Sequence, residues 1–316
     1  MSPAGNLPRQ LTTFVGRRGM IVVAGRRLAE DRLVSLVGPG GCGKTRLAVE
    51  VGRQLESSRS DGVFFVDLSG LSDPSLVPGL VADTLGLHNA GGANPDQALV
   101  AYLGQRQVLL LLDNCEHVLD AAAALAVRLV RGCPKLWLLA TSRHVLGLAG
   151  EVVMSVDGLA LPDRAAGLAG LAASEAGSLF IHRAQRAWPE FRLDDDSASA
   201  VAEICERLDG IPFALELAAA RTQLMSVREI AQELSVRSWL RAASSRSAPE
   251  RHRSLVSSIE WSCRLLSDKE RAVLYRMSVF AAGFTIASAE VVCAGGDVPP
   301  DEMFGLVSNL VDKSLV

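Results

Sequence analysis

The sequence predicts an α/β fold, a doubly wound parallel sheet followed by helices alone, and three observations carry that expectation. Short apolar runs at 33–37, 63–68, 108–112, 136–140 and 152–156 have the length and density of buried strands. Helical patterns joined by short connections separate most of them, the alternation that builds a parallel sheet. From about Ala172 onward the strand signals stop and helical periodicity takes over.

Bulk composition sets the outer bounds. A chain of 316 residues has room for roughly two domains, and 49% hydrophobic against 21% charged residues allows a sizeable core. A formal net charge of -3 gives no overall bias toward nucleic acid or anionic membranes. The six cysteines are scattered without a C-x-x-C pair, so free buried thiols are a better reading than a disulfide framework or zinc site. The five histidines show no metal-ligand spacing. The first residues lack the apolar centre of a signal peptide, and no run approaches the ~18 apolar residues of a membrane span. A cytoplasmic protein without membrane contact is expected.

Residues 1–30 read as a lead-in, Leu11-Thr12-Thr13-Phe14-Val15-Gly16-Arg17-Arg18 and then a helical pattern through Leu28. The strand at 33–37 runs into Gly38-Pro39-Gly40-Gly41-Cys42-Gly43-Lys44-Thr45, and a helix follows to about residue 57. This fits G-x-x-x-x-G-K-[ST], the P-loop pattern. Glycines let successive N–H groups curl toward phosphate oxygens, and the helix N-terminus adds partial positive charge there. Lys44 can reach the β- and γ-phosphates, while the Thr45 hydroxyl can hold magnesium. Cys42 sits where amides could lower a thiol pKa, although a small loop filler explains it more simply.

Next come a strand at 63–68 and helical segments at about 74–85 and 95–103, split by a turn at Gly91-Gly92. The strand at 108–112 ends in Asp113-Asn114, the form of a Walker B strand whose Asp emerges at the carboxyl end and can hold magnesium through water. A helix at about 118–131 leads to the strand at 136–140, which closes in Thr141-Ser142-Arg143. Residues 31–170 are therefore expected to form the P-loop NTPase domain.

The helical subdomain, 171–236, should hold helices at about 175–187, 197–208, 213–224 and 227–234, with Phe213, Leu217 and Leu224 on one face. Ser226 and Glu229 suggest a capping box. Residues 237–253 are arginine-rich and read as a linker, a solvated one rather than a nucleic-acid contact. The tail, 254–316, should add helices at about 255–265, 270–280, 286–293 and 301–310, a second capping box at Ser267-Asp268-Lys269-Glu270, and the start of a strand at 313–316.

These motifs together resemble the NB-ARC class of STAND nucleotide-switch ATPases, in the form found in bacterial regulators with LuxR-type or SARP-type DNA-binding domains, or with cyclase domains. Phe14-Val15-Gly16-Arg17 is similar to the family's adenine-contacting segment, and Leu109 through Val118 to its Walker B region. Thr141-Ser142-Arg143 is similar to the sensor 1 motif, whose arginine reaches the γ-phosphate. Gly210-Ile211-Pro212-Phe213-Ala214-Leu215 resembles the G-x-P motif, whose proline packs on adenine, and the tail resembles a winged helix.

The resemblance implies ATP or ADP with Mg2+ as cofactors. Val15, Gly16, Arg17, Gly38, Gly40, Gly41, Cys42, Gly43, Lys44, Thr45, Arg46 and Pro212 would contact nucleotide, and Thr45 and Asp113 the metal. Lys44, Asp113, Glu116 and Arg143 would carry any catalysis. It also implies that the sensor strand lies between the P-loop and Walker B strands. The partners implied are nucleotide, other proteins or further copies of the chain through the ATPase and winged-helix faces, and DNA only through an absent output domain. A poor phosphate-binding face around Phe284, Asp297, Asp301 and Glu302 argues against direct DNA contact.

Two departures shape the functional expectation. Asn114 stands where many P-loop ATPases place a second acid to orient water, leaving Glu116 as the nearby carboxylate, so hydrolysis should be slow. The family's His-containing ADP clamp would lie beyond Val316, so the chain is expected to be a module, a truncated product or a fragment. A signal-transduction switch is the resulting expectation. Its rivals are an active AAA+ or origin-recognition-like ATPase acting on DNA, and a scaffold that keeps ADP permanently.

Overall fold

A computed structural model of the protein describes residues 5–10, 12–71, 73–87, 94–163, 167–235, 266–280 and 284–312. The first unit contains α1 (Arg18–Asp31), β1 (Leu33–Val37), α2 (Lys44–Leu55), β2 (Val63–Asp67), α3 (Val77–Thr84), α4 (Pro95–Leu103), β3 (Val108–Asp113), α5 (Leu119–Gly132), β4 (Leu136–Ser142) and β5 (Val152–Ser155). The five strands lie in the order β2-β3-β4-β1-β5, all parallel.

Burial on both faces explains why the inner strands read as unbroken apolar runs. Along β3, Val108, Leu110 and Leu112 pack toward α3, α4 and α5, while Leu109 and Leu111 pack toward α1 and α2. The edge strand β5 alternates between half-buried and exposed side chains. The register sets Val37 beside Ser142 and Asp67 beside Asp113, which brings the carboxyl ends of four strands level. As expected, β4, the strand that leads into Arg143, sits between β1 and β3.

A second, helical unit packs α6 (Gly167–Ala173), α7 (Glu175–Ala187), α8 (Asp195–Arg207), α9 (Pro212–Ala220) and α10 (Val227–Ser235) around Phe180, Val201, Ile204 and Leu215. The sequence pattern does not show α6: its run Gly-Leu-Ala-Gly-Leu-Ala-Ala has no polar face, and buried Leu171 anchors it instead. A second difference concerns Leu224. Helix α9 stops at Ala220 and a 3-10 turn follows over Arg221–Gln223, so Leu224 leaves the face shared with Leu217 and is 88% exposed. The Ser226–Glu229 capping box forms in both directions.

Three further helices, α11 (Asp268–Met277), α12 (Ile286–Cys293) and α13 (Met303–Asp312), enclose Val273, Met277, Cys293 and Leu310. The Ser267–Glu270 capping box opens α11. The turn at Gly91-Gly92, the linker at 237–253, the helix at 255–265 and the strand start at 313–316 lie outside the described residues.

Candidate functional site

The loop between β1 and α2 crosses the carboxyl edge of the sheet, and there a cleft of about 290 Å³ opens. Its floor is the P-loop. Gly41 (φ +80°) and Gly43 (φ +92°) adopt left-handed conformations that side-chain-bearing residues resist, so the glycine spacing follows from the loop's path. Gly43 is the N-cap of α2 and makes no side-chain cap, so the helix presents backbone N–H groups and its positive end to the cleft.

Lys44 is 8% exposed, and its ammonium donates to the Gly38 and Pro39 carbonyls at 2.8 and 3.0 Å. Burial pulls the Lys44 pKa below the ordinary lysine range, against the raising fields of Cys42 and Glu116. Cys42 is fully buried and packs with Leu36 and Leu47 among the core residues beneath the loop. Burial raises its thiol pKa, outweighing the lowering effect of Lys44 and Arg17. The lowered thiol considered from sequence therefore does not occur, and the loop-filler reading fits.

Asp113 ends β3 at the centre of a polar knot. Its carboxylate accepts from Thr45 Oγ1 at 3.0 Å, from Thr141 Oγ1 at 2.5 Å and from Asn114 Nδ2 at 3.0 Å. Burial pushes its pKa up to about 6 although the Thr141 and Thr45 hydrogen bonds pull it down. A cation at this point would favour the ionised form. Asn114 takes a left-handed turn (φ 60°), which Asn tolerates better than most residues. Its amide bridges Asp113 and Asp67, at 3.0 and 3.2 Å. Beyond it, Glu116 accepts from Arg143 Nε at 3.1 Å, and both residues line the cleft.

The roof comes from outside the sheet. The N-terminus of α9 places Pro212, Phe213 and Glu216 over the loop, and Phe213 N–H donates to the Gly41 carbonyl at 3.3 Å. Gly210 (φ +63°) permits this approach: Leu159 N–H donates to its carbonyl at 2.8 Å, and a Cβ on it would run into the Leu159 carbonyl oxygen. Arg46 turns to the lead-in, donating to Gln10 Oε1 and to the Thr12 and Thr13 carbonyls, and it also meets Glu216 at 3.4 Å. Arg183 reaches the same Glu216 carboxylate at 2.9 Å.

Beside the cleft lies a narrow recess of about 30 Å³ lined by Phe14, Val15, Arg17, Gly43, Leu179 and Pro212, among others. A purine would have to widen it. Arg17 is held there by its backbone N–H on Glu175 and its guanidinium on the Asp157 carbonyl. Gly16 lies against Glu175 with φ +78°.

Of the residues singled out from the sequence, Gly40, Gly41, Gly43, Lys44, Thr45, Arg46, Glu116, Arg143 and Pro212 line the cleft, and Val15, Arg17 and Cys42 line the recess. Asp113 and Gly38 line neither but are hydrogen-bonded to Thr45 and Lys44, and Gly16 sits against Glu175. Sequence reasoning missed Glu216, which shows only as a charge on a helix, and the separate job of Thr141, which holds Asp113 rather than facing outward. The spacing of Glu216 four residues after Pro212, on the same helix face, was the signal available for the first. For Thr141 no signal separated it from Arg143 in the motif.

Thr45 and Asp113 offer hard oxygen atoms side by side. Among the described residues no cluster of three or more His, Cys, Asp or Glu could hold a metal ion. Magnesium is commonly held by one or two carboxylates with phosphate oxygens completing the shell, so the residues fit that ion.

The parallel sheet and the P-loop define a P-loop ATPase domain, and residues 27–145 match the family model described as AAA domain. The chain is 40% identical over 309 residues to Uncharacterized protein Rv0894 of Mycobacterium tuberculosis (strain ATCC 25618 / H37Rv), a match covering 98% of this chain and 76% of that one. It belongs to the same family as that protein. It is also 42% identical over 289 residues to the Putative HTH-type transcriptional regulator Rv0890c of the same organism, covering 92% of this chain but spanning only 31% of that protein's length. In fold it is similar to the Walker-type ATPase PABY2304 of Pyrococcus abyssi, with a TM-score of 0.59 at 14% identity over 95% of this chain and 90% of that one. Among the described residues no helix is long and apolar enough to cross a membrane.

Proposed function

We propose that this chain is a nucleotide-operated switch module of a bacterial transcriptional regulator, a slow ATPase of the NB-ARC kind that binds ADP or ATP with Mg2+. The observation that carries the reading is the composition of the cleft. Its floor belongs to the α/β unit, through Gly40 to Arg46, and its roof to the helical unit, through Pro212, Phe213 and Glu216. A ligand held there touches both units, so differential contacts with a terminal phosphate can bias their arrangement.

In this reading the amides of Gly40 to Lys44 cradle the phosphates, Lys44 neutralises them, and Thr45 and Asp113 hold the metal, whose charge would draw electron density from the phosphate oxygens. Arg143 reads the terminal phosphate through directed, charge-assisted hydrogen bonds. Val15, Gly16, Arg17 and Pro212 receive the adenine once the recess widens. Slow turnover follows from Asn114, a neutral amide already occupied by Asp113 and Asp67. The similarity to a protein named as an HTH-type regulator supports the transcriptional setting. Residues 254–316 would act as a winged-helix surface for protein contacts, DNA being reached through another domain, and the module would work in the cytoplasm.

Hydrogen exchange with and without Mg-ADP and Mg-ATP tests the switch. The reading expects protection of both the P-loop and α9, with different patterns at α9 for the two nucleotides. Identical patterns would contradict a switch while leaving nucleotide binding intact.

A further inference from the structure

Within the cleft, the two cations that would grip a phosphate tail already have internal partners, of different kinds. Lys44 rests on two neutral carbonyls, which a phosphate can replace without leaving a charge behind. Arg143 rests on Glu116, a carboxylate, with side-chain exposures of 12% and 7%. Glu116 Oε2 is buried and finds no hydrogen-bond partner among the described residues. A buried carboxylate with one oxygen unmatched is costly, and any anion entering beside it meets direct repulsion.

We infer that Glu116 is a specificity-determining residue that sets the site to prefer a nucleoside diphosphate over a triphosphate, by occupying Arg143 and placing negative charge at the terminal-phosphate end of the cleft. The inference rests on the nucleotide-site reading above and deepens it. A diphosphate held by the glycine cradle and Lys44 leaves the Glu116–Arg143 pair intact. A third phosphate must either take Arg143 from Glu116, or share the guanidinium with it and sit beside a buried carboxylate; in both cases the pair that a diphosphate leaves intact is weakened. The arginine thus contributes less to triphosphate binding than an arginine with no carboxylate beside it would. The Asn114 side chain cannot take over as donor without releasing Asp113 or Asp67.

The test uses calorimetric titration with Mg-ADP and with the non-hydrolysable β,γ-imido analogue of Mg-ATP, so that turnover does not enter the readout. The wild-type chain should bind the diphosphate about tenfold or more tightly than the analogue, the scale of one charge-assisted hydrogen bond. Glu116→Gln, which keeps the shape and removes the charge, should tighten the analogue about tenfold with ADP changed less than about twofold. Arg143→Gln should weaken the analogue by a similar factor and leave ADP alone. Equal affinities in the wild type, or a Glu116→Gln effect shared by both ligands or absent from both, would overturn the inference. The wild-type comparison holds even if a variant fails to fold. Binding of neither ligand by folded wild-type chain would instead overturn the nucleotide site itself, a distinct result.

Discussion

The floor and the roof of the cleft are built on opposite principles. The floor hangs from β1, β3 and β4, whose side chains are almost wholly buried, and its polar groups lock together through Asp113, Thr45, Thr141 and Asn114. Shifting any of these means moving a close-packed sheet. The roof rests on the Gly210–Leu159 contact, one Phe213–Gly41 hydrogen bond and the Arg46–Glu216–Arg183 ion pairs, in which Glu216 keeps 26% of its side-chain surface exposed. Of these, the partly exposed Arg46–Glu216 pair ties roof to floor and is individually weak, whereas buried Arg183 holds Glu216 from within the helical unit. The difference teaches where the molecule can give: a purine entering the narrow recess beside Pro212 would displace the roof and lead-in rather than the sheet.

Breaking the floor should have the largest effect. Lys44→Ala removes the buried cation and should weaken Mg-ADP binding by about 100-fold in calorimetry, with the melting temperature little changed. Next comes the hinge of the roof. Gly210→Ala forces a side chain into a left-handed backbone against the Leu159 carbonyl, and thermal unfolding should show a loss of about 1–3 kcal/mol. Asp113→Asn keeps the knot's shape but removes its charge. It should abolish most of the Mg2+ enhancement of nucleotide affinity, about tenfold, leaving metal-free binding nearly unchanged.

Glu216→Ala sharpens the contrast from the other side. Its loss should cost about 1 kcal/mol or less in global stability yet raise hydrogen exchange in α9 and in the lead-in around Thr12 and Thr13. Smallest is an expected null effect: Cys42, Cys115, Cys133, Cys205 and Cys293 are all buried, and burial raises each thiol pKa. None should react with a thiol reagent until the chain unfolds.

The same division governs what the sequence discloses. Floor residues are fixed by local grammar: an apolar run, glycines that only one backbone path explains, and an Asp at a strand end. Lys44, Thr45 and Asp113 were therefore legible, as was the place of β4 once the family resemblance supplied the strand order. Roof contacts join residues far apart in the chain, such as Arg46 with Glu216, and nothing in either local pattern announces the other. Helix α6 escaped notice because packing rather than periodicity holds it, and Leu224 was misplaced because a 3-10 turn interrupts the helical count. The pairing of Arg143 with Glu116 likewise needed coordinates, since 27 residues and a whole helix separate them.

The most direct measurement is titration of folded wild-type chain with ADP and Mg2+, followed by isothermal calorimetry and repeated with Lys44→Ala. The account predicts one saturable site per chain in the wild type, and its loss or severe weakening in the variant. Folded wild-type protein that takes up no adenine nucleotide, or binding that survives Lys44→Ala unchanged, would contradict it.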